Sequence, residues 1–178
     1  MVNRPAVSVQ EQYAPTNRCF GCGVANSQGL RLRSYLSIPA RPDADAADIA
    51  GAANADDDAT VLVAEFQPAP HHLAFDGIVN GGILGALLDC HSNWTAAIAL
   101  MRRRGAGSPP CTVTADFHVT LKRPTPIGAT LRLRAHPVEV RDDRAIIDAT
   151  IEAGGQVTAT CRGTFVAVKE GHPAFQRW

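Results

Sequence analysis

Four stretches in the second half of the chain alternate apolar and polar residues. In 112–122 every even position is polar, while Val113, Ala115, Phe117, Val119 and Leu121 are apolar. The segments 130–140, 144–152 and 156–168 repeat this period of two. The breaks between them carry Pro124, Pro126 and Gly128, then Arg141, Asp142 and Asp143, then Gly154 and Gly155. Side chains in a strand point alternately to its two faces, so the pattern predicts four strands. The short polar breaks predict an antiparallel meander with one apolar face.

Ahead of the meander the pattern is different. From Gly81 to about Arg104 the chain is long, rich in Ala and Leu and free of Pro, which predicts a helix. Apolar residues occur on all sides of it (Ile83, Leu84, Leu87, Leu88, Trp94, Ile98, Leu100), so it is expected to be buried on most faces. Arg102, Arg103 and Arg104 followed by Gly105 form a C-terminal signature, with cations at the negative end of the helix dipole. Nearer the start, residues 30–38 alternate Leu30, Leu32, Leu36 and Ile38 with Arg31, Arg33 and Ser37, which reads as a half-buried strand. Residues 60–66 read as another, ended by Pro68 and Pro70, and 71–80 read as a loop. Residues 1–29 form a loop-rich N-terminal segment, and 171–178 a C-terminal tail. One buried helix and about six strands make an α+β domain over 30–170, a curved antiparallel sheet wrapped around the helix. Such a sheet has an exposed edge to protect, which predicts a homodimer, with a homotetramer as the larger alternative.

Composition refines this picture. The chain has 178 residues, 46% of them hydrophobic, which suits one domain with a sizeable core. Seventeen basic residues balance seventeen acidic ones, yet Asp43, Asp45, Asp48, Asp56, Asp57 and Asp58 all fall in 40–59, an Ala/Asp-rich stretch read as a mobile insertion in a hairpin. The remainder carries a mild cationic excess, fit for an anionic small molecule but too weak for a nucleic-acid partner. No segment has the ~20 apolar residues of a membrane span. Residues 1–18 lack the apolar run of a signal peptide, and five cysteines is an odd count, so a cytoplasmic protein with reduced thiols is expected.

The sharpest chemical feature is Gly77-Ile-Val-Asn-Gly-Gly-Ile-Leu-Gly-Ala-Leu-Leu-Asp89. A Gly pair opening a helix lets a ligand approach the backbone, where N–H groups at the positive dipole end can stabilise a carbonyl oxygen gaining charge. Asp89 lies seven residues after Gly82 on the same helix face, among Gly85, Ala86, Asn93 and Ala96. The plainer alternatives are a tight turn at Gly81-Gly82 and a structural carboxylate at Asp89. Burying an idle carboxylate costs several kcal/mol, which favours a working one. Seven helical residues rise about 10 Å, too far for one chain's Gly82 N–H and Asp89 to act on one carbonyl. A two-fold dimer would have to bring the groups of two chains together.

Other groups are less informative. Cys19 and Cys22 have the spacing of half a metal site, but a closed zinc site needs four ligands. Cys90, Cys111 and Cys161 stand singly, so no metal is expected. His71 and His72 are candidate lid or substrate contacts. Cys90 and His91 are helix neighbours pointing about 100° apart, which rules against a dyad. His118 lies on the polar face of its strand. No serine nucleophile elbow, phosphate loop or dinucleotide fingerprint is present.

Together the motifs CFGCG followed by Gly29-Leu30, then GIVNGGILGALLD, VTADFHVTLKRPTPIG and GTFVAV resemble the hotdog-fold acyl-CoA thioesterases, in the branch of phenylacetyl-CoA and 4-hydroxybenzoyl-CoA thioesterases. The resemblance spans roughly residues 19 to 168. It implies a hotdog fold, hydrolysis of an acyl-CoA to free acid and CoA, and no cofactor beyond the coenzyme A of the substrate. The family motif is usually HGG, with its carboxylate nine residues after the His. Asn80 stands at the His position and Asp89 nine later. By that match Asp89 is the general base or nucleophile, and the N–H of Gly81 or Gly82 polarises the carbonyl across the dimer interface. Thr114, ten residues before Pro124, takes the place of the Ser or Thr that holds the water. The family's helper Asn would fall near Ala74. Asn93 joins His71 and His72 as a substrate contact, and Lys122, Arg123 and Arg102–Arg104 are the candidate cations for the CoA phosphates. Asn80 cannot carry a proton at neutral pH. That keeps open an acyl-CoA-binding sensor or carrier without turnover, and less favourably a hydratase or dehydratase.

Overall fold

The computed structural model describes residues 5–37 and 60–175. The expected insertion over 40–59 lies outside the described residues, as do Ile38 and the last three residues of the tail.

The helix forms where the sequence places it, as α2 (Gly81–Arg103). Asn80 is its N-cap, in an extended conformation, with its side-chain oxygen accepting from the Gly82 N–H at 2.8 Å. An Asn there satisfies one of the four N–H groups that a helix start leaves unpaired. The four alternating stretches become β5 (Thr112–Leu121), β6 (Leu131–Val140), β7 (Arg144–Ala153) and β8 (Gln156–Ala167). With β1 (Tyr35–Leu36) and β2 (Leu62–Phe66) they form one antiparallel sheet in the order β1-β2-β6-β7-β8-β5. α2 packs across β5 to β8, burying Leu84, Leu87, Leu88, Trp94, Ile98 and Leu100 against Leu131, Leu133, Ile147, Ile151 and Phe165. No helix among the described residues is long and apolar enough to cross a membrane.

Three local expectations need correction. The strand read over 30–38 is only two residues long. Leu30 and Leu32 are buried but belong to an irregular segment whose N–H groups bond to Phe20 and Gly21 carbonyls in the preceding loop. The loop-rich start contains a helical turn, α1 (Val9–Tyr13), closed by a capping box between Ser8 and Glu11. The loop over 71–80 holds a 3-10 turn (Pro70–His72) and a hairpin of β3 (Leu73–Phe75) and β4 (Ile78–Val79).

The N-terminal segment is tied to the helix by buried polar groups. The His91 ring accepts at Nδ1 from the Ser34 hydroxyl at 2.8 Å and donates at Nε2 to the Leu62 carbonyl at 3.1 Å. Ser34 in turn accepts from the Gln10 amide at 3.1 Å, and its N–H donates to Gln10 Oε1 at 2.8 Å. Both ring nitrogens of His91 and the Ser34 hydroxyl are thereby matched, which is what full burial demands. Burial also holds the His91 pKa down, to about 4.

Candidate active site

The parity of β5 changes part-way along. Thr112 and Thr114 pair with the inward-facing Ala167 and Phe165 of β8, so these two polar residues face the helix. A bulge between Thr114 and Asp116 absorbs Ala115, and from there Phe117, Val119 and Leu121 take the inward positions opposite Gly163, Cys161 and Ala159. The single apolar face expected of 112–122 is therefore split. Val113 and Ala115 do not share the helix-facing side with Phe117.

The bulge has a chemical result. Thr114 Oγ1 donates to Asp89 Oδ1 at 2.6 Å, and Thr112 Oγ1 donates to Asn93 Oδ1 at 2.6 Å. Two threonines of one strand thus hold two polar side chains one helical turn apart on α2. Asp89 and Asn93 face a cavity of about 160 Å³ shared with Asn17, Cys19, Cys22, Cys90, Trp94 and Thr112. Partial burial raises the Asp89 pKa, the Thr114 hydrogen bond opposes that rise, and negative charge on Cys19 adds to it. Thr114 thus anchors one oxygen of a carboxylate that lines the cavity.

At the start of the helix the two glycines are not equivalent. The Gly82 N–H is taken by the Asn80 side chain, and the Ile83 and Leu84 N–H groups bond to the Asn80 carbonyl. The Gly81 N–H has no partner among the described residues. A Cβ on Gly81 would meet Leu121 Cδ1 at 2.9 Å, so β5 ends close against this point. The Val79 N–H bonds to the Thr125 carbonyl and the Ile127 N–H to the Gly77 carbonyl, which ties the loop after β5, with exposed Lys122 and Arg123, to the same end of the molecule.

The remaining sequence candidates fall elsewhere. His72 is buried, stacked on Phe66, and accepts from the Ala69 N–H at 3.0 Å, so it caps its turn; burial lowers its pKa. His71 is exposed beside it, and neither lines the Asp89 cavity. Arg102 reaches Thr60 at 3.0 Å, Arg103 pairs with Asp142 at 3.3 Å, and Arg104 donates to the Asp142 carbonyl at 2.6 Å. They sit some 20 Å along the helix from Asp89 at 1.5 Å per residue. Sequence reasoning missed the partner of Cys19 and Cys22: Cys90, treated as isolated, lies with its sulfur 3.7 Å from that of Cys19. The close approach at Gly21, where a Cβ would come within 2.3 Å of the Cys90 sulfur, is what lets the loop bring them together.

Comparison with known proteins fits this architecture. The thioesterase superfamily profile matches residues 76–160, which contain Asn80, Asp89 and Thr114. No curated protein sequence matches the chain. Among solved structures, a thioesterase superfamily protein from Shewanella loihica is 28% identical, covering 62% of this chain and 85% of its own, with a TM-score of 0.53. A Streptococcus mutans protein bound to acetyl CoA is 17% identical, covering 61% and 82%, with a TM-score of 0.53. The PaaI protein of the E. coli phenylacetic acid degradation operon is 19% identical, covering 62% and 74%, with a TM-score of 0.52. With its six-stranded antiparallel sheet packed on one long helix, this chain has the hotdog fold and is similar to the thioesterase superfamily over residues 76–160.

Proposed function

We propose that this protein hydrolyses an acyl-CoA thioester and does so as a homodimer. The observation that carries the reading is the half-buried Asp89 carboxylate. It is fixed by Thr114 at 2.6 Å, opens on a cavity, and lies nine residues after the residue that caps the helix. In the reaction a water oxygen attacks the thioester carbonyl carbon while Asp89 accepts the water proton. The carbonyl oxygen becomes an oxyanion, for which the unpartnered Gly81 N–H at the helix start is the natural donor. Collapse breaks the C–S bond, releasing the acid and a CoA thiolate that takes up the proton. As an alternative within the same geometry, Asp89 attacks the carbonyl itself.

One chain holds its Gly81 and Asp89 about 12 Å apart along the helix, so a single site needs groups from two copies. Support for pairing comes from β5, an edge strand whose Phe117 and Leu121 are 43% and 53% exposed. Lys122 and Arg123, at the end of that strand, are the cations best placed for CoA phosphates. The bound acetyl CoA of the Streptococcus mutans neighbour supports this ligand class.

A second reading, binding without turnover, is favoured by one observation. Asn80 spends its side chain on capping and supplies no titrating group. Thiol release over a panel of acyl-CoAs, including phenylacetyl and 4-hydroxybenzoyl esters, separates the two. Turnover that falls by about 10²–10⁴-fold in Asp89→Asn is expected of a lost general base. Binding of every ester with no thiol release would transfer the assignment to a sensor or carrier, and full activity in Asp89→Asn would remove Asp89 from the mechanism.

A further inference from the structure

Beside Asp89, along the same cavity, three sulfurs converge. The ligand atoms of Cys19, Cys22 and Cys90 all lie within 4.8 Å of one another, and Cys19 and Cys90 are 3.7 Å apart. A disulfide requires about 2.05 Å and two cysteines, and would leave the third thiol over. Three thiolates bound to one tetrahedral ion at about 2.3 Å each stand about 3.8 Å from one another. The observed spacing matches the second arrangement for one pair and needs about 1 Å of closure at most for the widest.

The surroundings offer N–H groups near the sulfurs. The backbone N–H groups of Gly21 and Cys22 lie beside Cys19, and Trp94 lines the same cavity as Cys22. Outer N–H donors of this kind orient metal-bound thiolates and temper their charge. The loop is also held rigidly. Cys19 N–H bonds to Asn17 Oδ1 at 2.7 Å, Gly23 N–H closes on the Cys19 carbonyl at 2.9 Å, and a Cβ on Gly23 would meet that carbonyl oxygen at 2.5 Å. Cys22 and Cys90 are buried and Cys19 is exposed, which leaves one side open for an ion to arrive.

We propose that Cys19, Cys22 and Cys90 form a three-thiolate site for a soft divalent cation of the zinc class, its fourth position facing the cavity shared with Asn17, Asp89 and Asn93. Three protein ligands with an open fourth place suit a water or a small donor from the cavity. Such an ion would pin the loop over 19–23 to α2, one residue from Asp89, and so fix one wall of the candidate active site. The proposal stands whether or not the protein is a hydrolase.

The test reads metal, not turnover. Reduced, metal-stripped full-length protein is titrated with Co²⁺, then with Zn²⁺ in competition, and metal content is measured after gel filtration. One equivalent per chain is expected, with thiolate-to-cobalt charge-transfer absorption and the visible bands of a tetrahedral ion. Cys19→Ser, Cys22→Ser and Cys90→Ser should each weaken binding by at least about 100-fold, while Cys111→Ser and Cys161→Ser should leave it unchanged. Because Cys22→Ser or Cys90→Ser can unfold the buried site, the deciding variant is the exposed Cys19→Ser, checked by circular dichroism. Wild type should also gain thermal stability as Zn²⁺ is added, and Cys19→Ser should not. A folded wild type without the charge-transfer band, or a Cys19→Ser chain that binds as tightly as wild type, overturns the site. So does recovery of a Cys19–Cys90 disulfide in place of metal from protein kept under reductant.

Discussion

The two halves of α2 are built for different tasks. From Trp94 to Leu100 every residue is buried, closed in by the sheet. From Gly81 to Asn93 the helix alternates bulky buried residues (Leu84, Leu87, Leu88) with small or polar ones left partly open (Gly81, Gly85, Ala86, Asp89, Asn93). The first region holds the fold by burial, and the second gives up burial to keep a face free. Stability and chemistry are thereby separated along one rod, so substitutions in the two halves should fail in different ways.

The largest effect on folding belongs to the closed half. Leu100→Ala removes a fully buried side chain and should cost about 2–5 kcal/mol, read as a lower denaturant midpoint with unchanged turnover per folded molecule. An equal drop in turnover per folded chain would break the separation. In the open half, Gly81→Pro should fold, because the first helical position has no intrahelical N–H bond to lose and the preceding Asn80 is already extended. Its loss of the N–H should lower turnover by about 10²–10³-fold, the usual cost of an oxyanion donor. Gly81→Ala carries the same Cβ toward the flexible Leu121 side chain but keeps the N–H, and should retain most activity. Equal losses in both variants would place the effect at the Leu121 contact.

Thr114→Val keeps the shape at the bulge and removes the bond to Asp89. A hydrogen bond to a charged group is worth about 1.5–3 kcal/mol, so turnover should fall by about 10–100-fold and return in Thr114→Ser. Full activity in Thr114→Val would make the threonine a packing residue. The smallest effect lies on the outer face of the sheet. Arg162 bonds to Asp148 through both carboxylate oxygens, at 2.7 and 2.6 Å, and holds the Asp148 pKa below the ordinary value. A depressed carboxylate pKa stabilises the fold above the unfolded value and loses that contribution as pH falls through the folded one. Wild type should therefore lose slightly more stability than Asp148→Asn below about pH 4. The pair is largely exposed, so the difference should stay under about 1 kcal/mol; parallel stability curves would assign it nothing.

Several features of the fold and site were readable without coordinates. Period two over 130–140, 144–152 and 156–168 gave β6, β7 and β8 to within a residue or two, since each strand has one covered face. The Pro-free apolar run gave α2, and the Gly pair with Asp89 marked the face that stays open. The strand read over 30–38 was mostly not one: Leu30 and Leu32 are buried by the loop over 19–23 instead of by sheet pairing, and apolar alternation looks the same in both cases. Cys90 was out of reach because its partners are about seventy residues away. His72 looked functional by its loop position, yet it fills a hole beside Phe66.

By itself, then, the sequence determined the long helix and the main strands, their order and the location of a small-residue face on a bulky helix. These are consequences of local side-chain periodicity, and local periodicity is written in consecutive residues. Only the tertiary structure decided which groups meet. One extra residue at Ala115 reverses the parity of β5, turning Thr114 onto Asp89 and sending Phe117 inward beyond it. A loop with no room for a Cβ at Gly21 settles on α2 and gathers three cysteines. The Asn80 cap occupies one glycine N–H and leaves the other unpartnered. A bulge, a close approach and a cap each shift atoms by an ångström or two, and hydrogen bonds and metal ligands are chosen at that scale.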